Sequence, residues 1–398
     1  MNQIAKFYTI FWIVYFPVCI AFTVIVNFDW SDEILTGILL IYAFIQQRYL
    51  IKENKRNREI GICASAFLFY LIYSLVIGVT TKRGVWLDIF QQARPYLVFY
   101  LTWLLAPDFN SKQKKMIRNV TLLSFGIYVI LFVFFPSKIN PYGGLGAFSG
   151  GESAIMGQLA LCCAMIYYLF SPPTRRNRSI TLGIVFLGLL CGKSKYFGEC
   201  VAFVALVIYV KNKLKFNSSK IVFQVTVLAA VVIFFTWTKF NAYYVEGFEE
   251  GAQEMARPMT YRTSLRILTD YFPFGSGFGT FGCAAAAKEY SPLYYTYHLN
   301  HIWGLTPDNP MFLADAFYPI YPAQFGIVGI ILFLIFWKKR IKEANAIPNI
   351  IYYRMALMCI LALALESTAD SSYLSGKGMG YFMILALCLN SGRLKQTI

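Results

Sequence analysis

Runs of about 20 apolar residues, separated by short polar connections, recur along the whole chain. A helix of ~20 apolar residues crosses the ~30 Å hydrocarbon core of a bilayer, where every backbone polar group must find its partner within the protein. The runs lie near 7–26, 34–50, 61–80, 86–106, 119–135, 153–170, 179–191, 197–211, 220–238, 318–337, 349–366 and 377–391. The pattern predicts an all-α polytopic membrane protein with about 12 transmembrane helices. The run at 179–191 is the shortest, and a length of ~10–14 fits a re-entrant or buried segment as well as a span. Paired with 197–211, it returns the chain to the side it left in either case.

The connections set the orientation. Alternate ones are basic, at 48–59, 111–118, 175–178, 211–220, 338–342 and 392–395. Cytoplasmic loops carry the excess of Lys and Arg, which places both termini in the cytoplasm. The organisation is then helices 1–9 over 1–238, one large periplasmic loop at 239–317, and helices 10–12 over 318–398. Met1 to Val26 has a single lysine ahead of an apolar run too long for a signal-peptide core, and reads as an uncleaved first span.

Composition agrees: 58% of residues are hydrophobic and 14% charged, against ~25% charged in soluble domains. The net charge of +16, from 36 Lys/Arg and 20 Asp/Glu, would in a soluble chain suggest a nucleic-acid partner. Sorted by side, 24 basic and 4 acidic residues fall inside, and 12 and 16 outside. The surplus is an orientation signal, and a nucleic-acid partner loses its support. Of the nine cysteines only Cys283 lies outside an apolar run, with no CxxC or Cys/His cluster, so they read as buried small hydrophobes rather than zinc ligands or redox groups.

A connection of about 80 residues is far longer than a helix–helix turn needs. Its richness in Tyr, Phe and Trp, as in 290–303, argues for an ordered cap. Such rings either stack on sugars or line the membrane interface. Pro258 suits the first turn of a helix that must stop before Pro273, and Gly275, Gly277 and Gly279 then permit a tight turn. On that helix Arg262, Arg266 and Asp270 share a face at i, i+4 spacing. With the backbone N–H groups of the turn, the two guanidiniums form a receptor for pyrophosphate or another anion; alternatively Arg266 and Asp270 are a surface ion pair. His298 and His301 fall on one side if a helical turn carries them, where either is a base near neutral pH, or they are loop histidines bonded to backbone. Asp308 and Asp315 follow, and partial burial at the membrane surface raises the pKa expected for Asp315. Two apparent nucleotide signatures fail: GxGxxG at 277–282 follows a helix instead of a strand, and Gly192-Lys193-Ser194 has no upstream P-loop glycine.

Charges inside spans cost about 2.5–3.5 kcal/mol each and mark function by default. Arg94 lies ~13 Å below the outer surface at ~1.5 Å per residue. Glu152 with Gln158, Lys193 and Lys195 with Glu199, and Glu366 with Asp370 stand at the outer ends of other spans. As a set they outline a polar chamber beneath the long loop, with Lys195 placed to hold an anionic group.

These features resemble the bacterial O-antigen and exopolysaccharide polymerases of the Wzy type and the related O-antigen ligases. The likeness covers most of the chain as architecture. In detail it rests on Arg266 followed ten residues later by Gly277, on YFPFGSGFGTF (271–281), on DAFYPIYPAQFGIVGI (315–330), on KSKYFGE (193–199) with Lys195 where arginine is more usual, and on ESTADSSY (366–373). Two departures stand out. The stretch 136–153 has glycines but no arginine, and Asp308-Asn309 or Asp315 occupies the region where a histidine-asparagine pair is common.

The resemblance implies an inverting, metal-independent glycosyl transfer with no cofactor, on the outer face of the bacterial plasma membrane. A glycan on undecaprenyl pyrophosphate is the donor and a second lipid-linked repeat unit the acceptor, with a flippase and a chain-length regulator as partners. Arg266 would stabilise the departing pyrophosphate and Asp315 or His301 take the acceptor's proton, while Arg262, Arg94, Lys195, His298 and Gly277 bind substrate. A ligase that passes the glycan to lipid A-core or protein, and a flippase for the lipid-linked unit, are the rival functions.

Overall fold

The computed structural model describes residues 2–24, 31–46, 54–105, 107–134, 153–213, 237, 241 and 255–391. The expected run at 220–238 and Glu152 lie outside those residues, apart from Trp237. Within them the chain is helical, with no strand.

Each described apolar run is a helix. The long ones are α1 (Asn2–Val24), α2 (Ser31–Ile45), α3 (Asn54–Ile77), α4 (Lys82–Leu105), α5 (Ser111–Phe134), α6 (Ser153–Phe170), α7 (Arg175–Leu187) and α8 (Ser194–Ile208). After the 239–317 segment, which contributes α9 (Ala256–Asp270), α10 (Ala284–Lys288) and α11 (Leu293–Thr296), come α12 (Gly326–Ala346), α13 (Ile350–Glu366) and α14 (Gly376–Asn390). Among the described residues, two stretches, Asn57–Ile77 and Tyr321–Ala346, are long and apolar enough to cross a membrane, and most of each is left uncovered by the rest of the described chain. Ile62, Leu68, Ile72 and Val76 of α3 and Leu334 and Ile335 of α12 are exposed. An apolar stripe of that size is costly in water and marks a lipid or partner surface.

The ambiguous run at 179–191 resolves into α7, whose 13 residues span about 20 Å at ~1.5 Å per residue, and a tight helical turn over Gly188–Cys191. Left-handed Gly192 then turns the chain into α8.

The polar ends of the helices are tied inward. Arg340 is fully buried, paired with Glu59 of α3 and packed over the rings of Phe99, Trp103 and Phe336 at 4.9, 5.2 and 5.1 Å. One charge of the basic 338–342 connection is therefore spent in the interior. Cys162, Cys163, Cys191, Cys200, Cys283, Cys359 and Cys388 are buried and Cys63 is half-buried, in keeping with their reading as small hydrophobes.

The described part of the long segment, 255–317, is ordered, and α9 begins and ends where Pro258 and Pro273 require. It does more than cover the helices. Residues 275–283 push in between α3 and α4 as far as Ser74 and Asp88 and are buried throughout. Irregular backbone at such a place survives only if its polar groups are satisfied by protein.

Candidate functional site

Two polar regions stand among these apolar helices. The first is the glycine-rich turn after α9. Gly275, Gly277 and Gly279 have positive φ, in keeping with the tight turn they were expected to permit. The turn's N–H groups are already committed: Gly275 donates to Tyr271 O at 2.8 Å, Ser276 to Ala323 O at 2.8 Å, and Gly277 to Gln324 O at 2.9 Å. Phe278 donates to Ser74 Oγ at 2.8 Å, Gly279 to buried Asp88 Oδ2 at 2.7 Å, and Gly282 to Tyr294 Oη at 3.0 Å. No amide of this set remains for an anion, so the expected backbone half of the pyrophosphate receptor is absent. Gly277 serves packing, because a Cβ there would meet Ser74 Oγ at 2.7 Å.

Asp88 is fully buried and also accepts from Gln92 Nε2 at 3.3 Å, while Gln324 donates to Phe281 O at 2.7 Å and Cys283 Sγ at 3.2 Å. These residues lock the turn in place. They escaped the sequence reading because the turn they serve lies far from Ser74 and Asp88 in the chain.

The second region lies where the N-terminus of α8, the C-terminus of α13, α9 and the 314–318 segment meet. Lys195 bridges Glu366 at 2.9 Å and Asp370 at 3.1 Å. Glu199, one turn further along α8, is fully buried beside Glu366 and Lys195. Ser372 Oγ donates to Glu366 at 2.8 Å. Arg257, near the start of α9, pairs with Asp315, and Tyr261 on the same face donates to Thr368 O at 3.4 Å. Ser371 Oγ donates to Ala314 O at 2.6 Å, and the rings of Phe317 and Tyr373 stack at 4.4 Å, so Asp315 is held against the Asp370 turn.

Among these described residues, Lys195 and Arg257 meet four carboxyl groups. A buried cluster with that imbalance holds protons as well as ion pairs. Burial pushes the Asp315 carboxyl above the usual carboxylate range, Asp370 adds to the rise, and Arg257 and Lys195 oppose it.

Of the residues expected to outline a chamber, Lys195, Glu199, Glu366 and Asp370 come together in one cluster, joined by Asp315 and by Arg257, a member that sequence spacing did not single out. Its cation is not free, however: the anions that Lys195 holds are the protein's own. Arg94 likewise is buried and bonded to Glu33 of α2 and to Leu374 O, so it ties helices together and has no anionic ligand to seek.

Arg266 is exposed and forms no ion pair with Asp270, which instead accepts from Tyr297 Oη at 2.6 Å. Arg262, one turn back, is half-buried. At 3.6 residues per turn, Arg266 stands about 180° around α9 from Arg257. No hydrogen bond or ion pair among the described residues joins Arg266, His301 and Asp315. His298 and His301 are both exposed but do not share a helical turn, since α11 stops at Thr296 and His298 is left-handed.

No family model matches the chain, and no curated protein matches it.

Proposed function

We propose that the protein is a membrane-embedded glycosyltransferase that polymerises oligosaccharide repeat units carried on undecaprenyl pyrophosphate. In this reading it crosses the membrane about twelve times with both termini in the cytoplasm, and the 239–317 segment faces outside. The observation that carries it is the Arg257–Asp315 pair at the edge of a carboxyl-rich, proton-holding cluster, with exposed Arg266 on the far face of the same helix.

Glycosyl transfer to a hydroxyl needs a base for the acceptor's proton and a cation for the leaving phosphate. Asp315 is the base, because its raised pKa brings it closer to the pH at which it must exchange protons. Arg257 steadies it. Arg266, with Arg262 beside it, meets the departing pyrophosphate. Exposed Tyr295 and Trp303 in the same segment offer ring faces for sugar stacking. In this reading His298 and His301, both exposed, contact the acceptor.

The test is purified protein in nanodiscs with lipid-linked repeat units, read as chain length on a gel. Growth into a ladder that Asp315→Asn and Arg266→Ala abolish supports the reading. Transfer of a finished glycan to lipid A-core or protein, without a ladder, makes the protein a ligase. Movement of the unit across the bilayer without any new glycosidic bond makes it a flippase.

A further inference from the structure

Away from the carboxyl cluster, a cavity of about 400 Å³ opens between α3, α4 and α12. Two of its three walls are the stretches long and apolar enough to cross a membrane. Its volume falls within the ~300–1,000 Å³ typical of ligand sites.

Ala66, Phe67, Tyr70, Tyr96, Tyr100 and Phe336 form much of the lining. The tyrosine hydroxyls are spent elsewhere: Tyr70 donates to Phe325 O at 2.6 Å, Tyr96 bonds Tyr321 at 2.9 Å, and Tyr100 donates to Glu59 at 2.9 Å. Rings and aliphatic carbons are what remain, a surface that suits hydrocarbon and repels water.

Length and charge narrow the occupant. From Arg58 to Tyr70 the α3 wall rises twelve helical positions, about 18 Å, close to one leaflet of a ~30 Å core. Only one end is charged. There Arg58 is exposed and without an ion pair among the described residues, and exposed Lys339 shares Glu59 with buried Arg340. Cationic side chains at the mouth of an apolar slot between helices are matched by an anionic headgroup joined to an acyl chain.

We propose that this cavity binds an anionic phospholipid, with one acyl chain between α3 and α12 and its phosphate at Arg58 and Lys339. The leaflet is the one at the basic ends of these helices, the cytoplasmic one by the positive-inside rule. The proposal rests on the membrane reading and is independent of glycosyl transfer.

The full chain in nanodiscs containing equal phosphatidylglycerol and phosphatidylcholine, released for native mass spectrometry, tests it. The wild type retains phosphatidylglycerol in preference. Arg58→Gln and Lys339→Gln each lower that preference about fivefold, as expected for loss of one surface cation near an anionic lipid. Ala66→Phe, which fills the slot, removes retained lipid of either headgroup. Equal retention of the two lipids by wild type, or an unchanged preference in Arg58→Gln/Lys339→Gln, overturns the proposal. Displacement of phosphatidylglycerol by added undecaprenyl phosphate at equal concentration also overturns it, by making the slot a carrier-lipid site. Because Arg58 is exposed, its variant decides the matter even if Ala66→Phe fails to fold.

Discussion

The glycine-rich turn at 275–283 and the carboxyl cluster around Lys195 are both polar insertions among apolar helices, yet they are built in opposite ways. In the turn, six amides have named partners within 3.0 Å, and the one buried carboxylate, Asp88, is bonded to two donors. In the cluster, four carboxyl groups meet Lys195 and Arg257, and buried Glu199 lies among them beside Glu366 and Lys195. A satisfied network rigidifies a fold, whereas an unsatisfied one is kept only where it does something else. In the proposed reading the turn is structural and the cluster carries the chemistry.

Substitutions separate the two. Asp315→Asn removes the proposed base and lowers the rate of transfer per folded molecule about 10²–10⁴-fold in the nanodisc ladder assay, and it also lowers the unfolding temperature because largely buried Arg257 loses its ion-pair partner. Lys195→Met leaves Glu366 and Asp370 without their cation. Breaking a buried pair costs about 3–5 kcal/mol, so thermal denaturation registers the loss directly. Arg266→Ala, exposed, lowers transfer about 10²–10³-fold, the scale of a lost leaving-group contact, without altering stability.

Gly277→Ala works the other way. The strained left-handed backbone and the contact with Ser74 lower stability by about 1–3 kcal/mol, while transfer per folded molecule stays near wild type. A larger loss of turnover than of folded protein would move function back to the turn.

The smallest effect is in pH. Asp315 is a base only when ionised, so activity falls as pH drops through its pKa, at a midpoint above the ~3.9 of a free aspartate. Arg257→Gln removes a cation that favours the ionised form and moves that acid limb to higher pH. Stability responds with the opposite sign. A carboxyl whose pKa is raised by folding binds its proton more tightly in the native state, so its contribution to stability rises as pH falls through that value.

Much of this was written in the pattern of apolar residues. Helix positions follow from ~20-residue runs because burial of backbone polar groups is a local matter, settled within each helix. The tight turn at Gly275, Gly277 and Gly279 was legible because glycine's backbone freedom is a local property. What the local pattern could not contain was the destination of each polar group. Arg94 and Lys195 stood out as charges in apolar company, but their partners Glu33 and Asp370 lie 61 and 175 positions away. Spacing along α9 drew attention to Arg262, Arg266 and Asp270, while Arg257, whose partner Asp315 is 58 positions distant, had no local signature. The turn's amides looked available for an anion only because Ser74, Asp88 and Gln324 are remote in sequence.

The most direct measurement of the central claim is the ladder assay on Asp315→Asn and Gly277→Ala at matched amounts of folded protein. A chain-length ladder from Gly277→Ala and accumulation of single lipid-linked units with Asp315→Asn is the predicted result. A normal ladder from Asp315→Asn would contradict it.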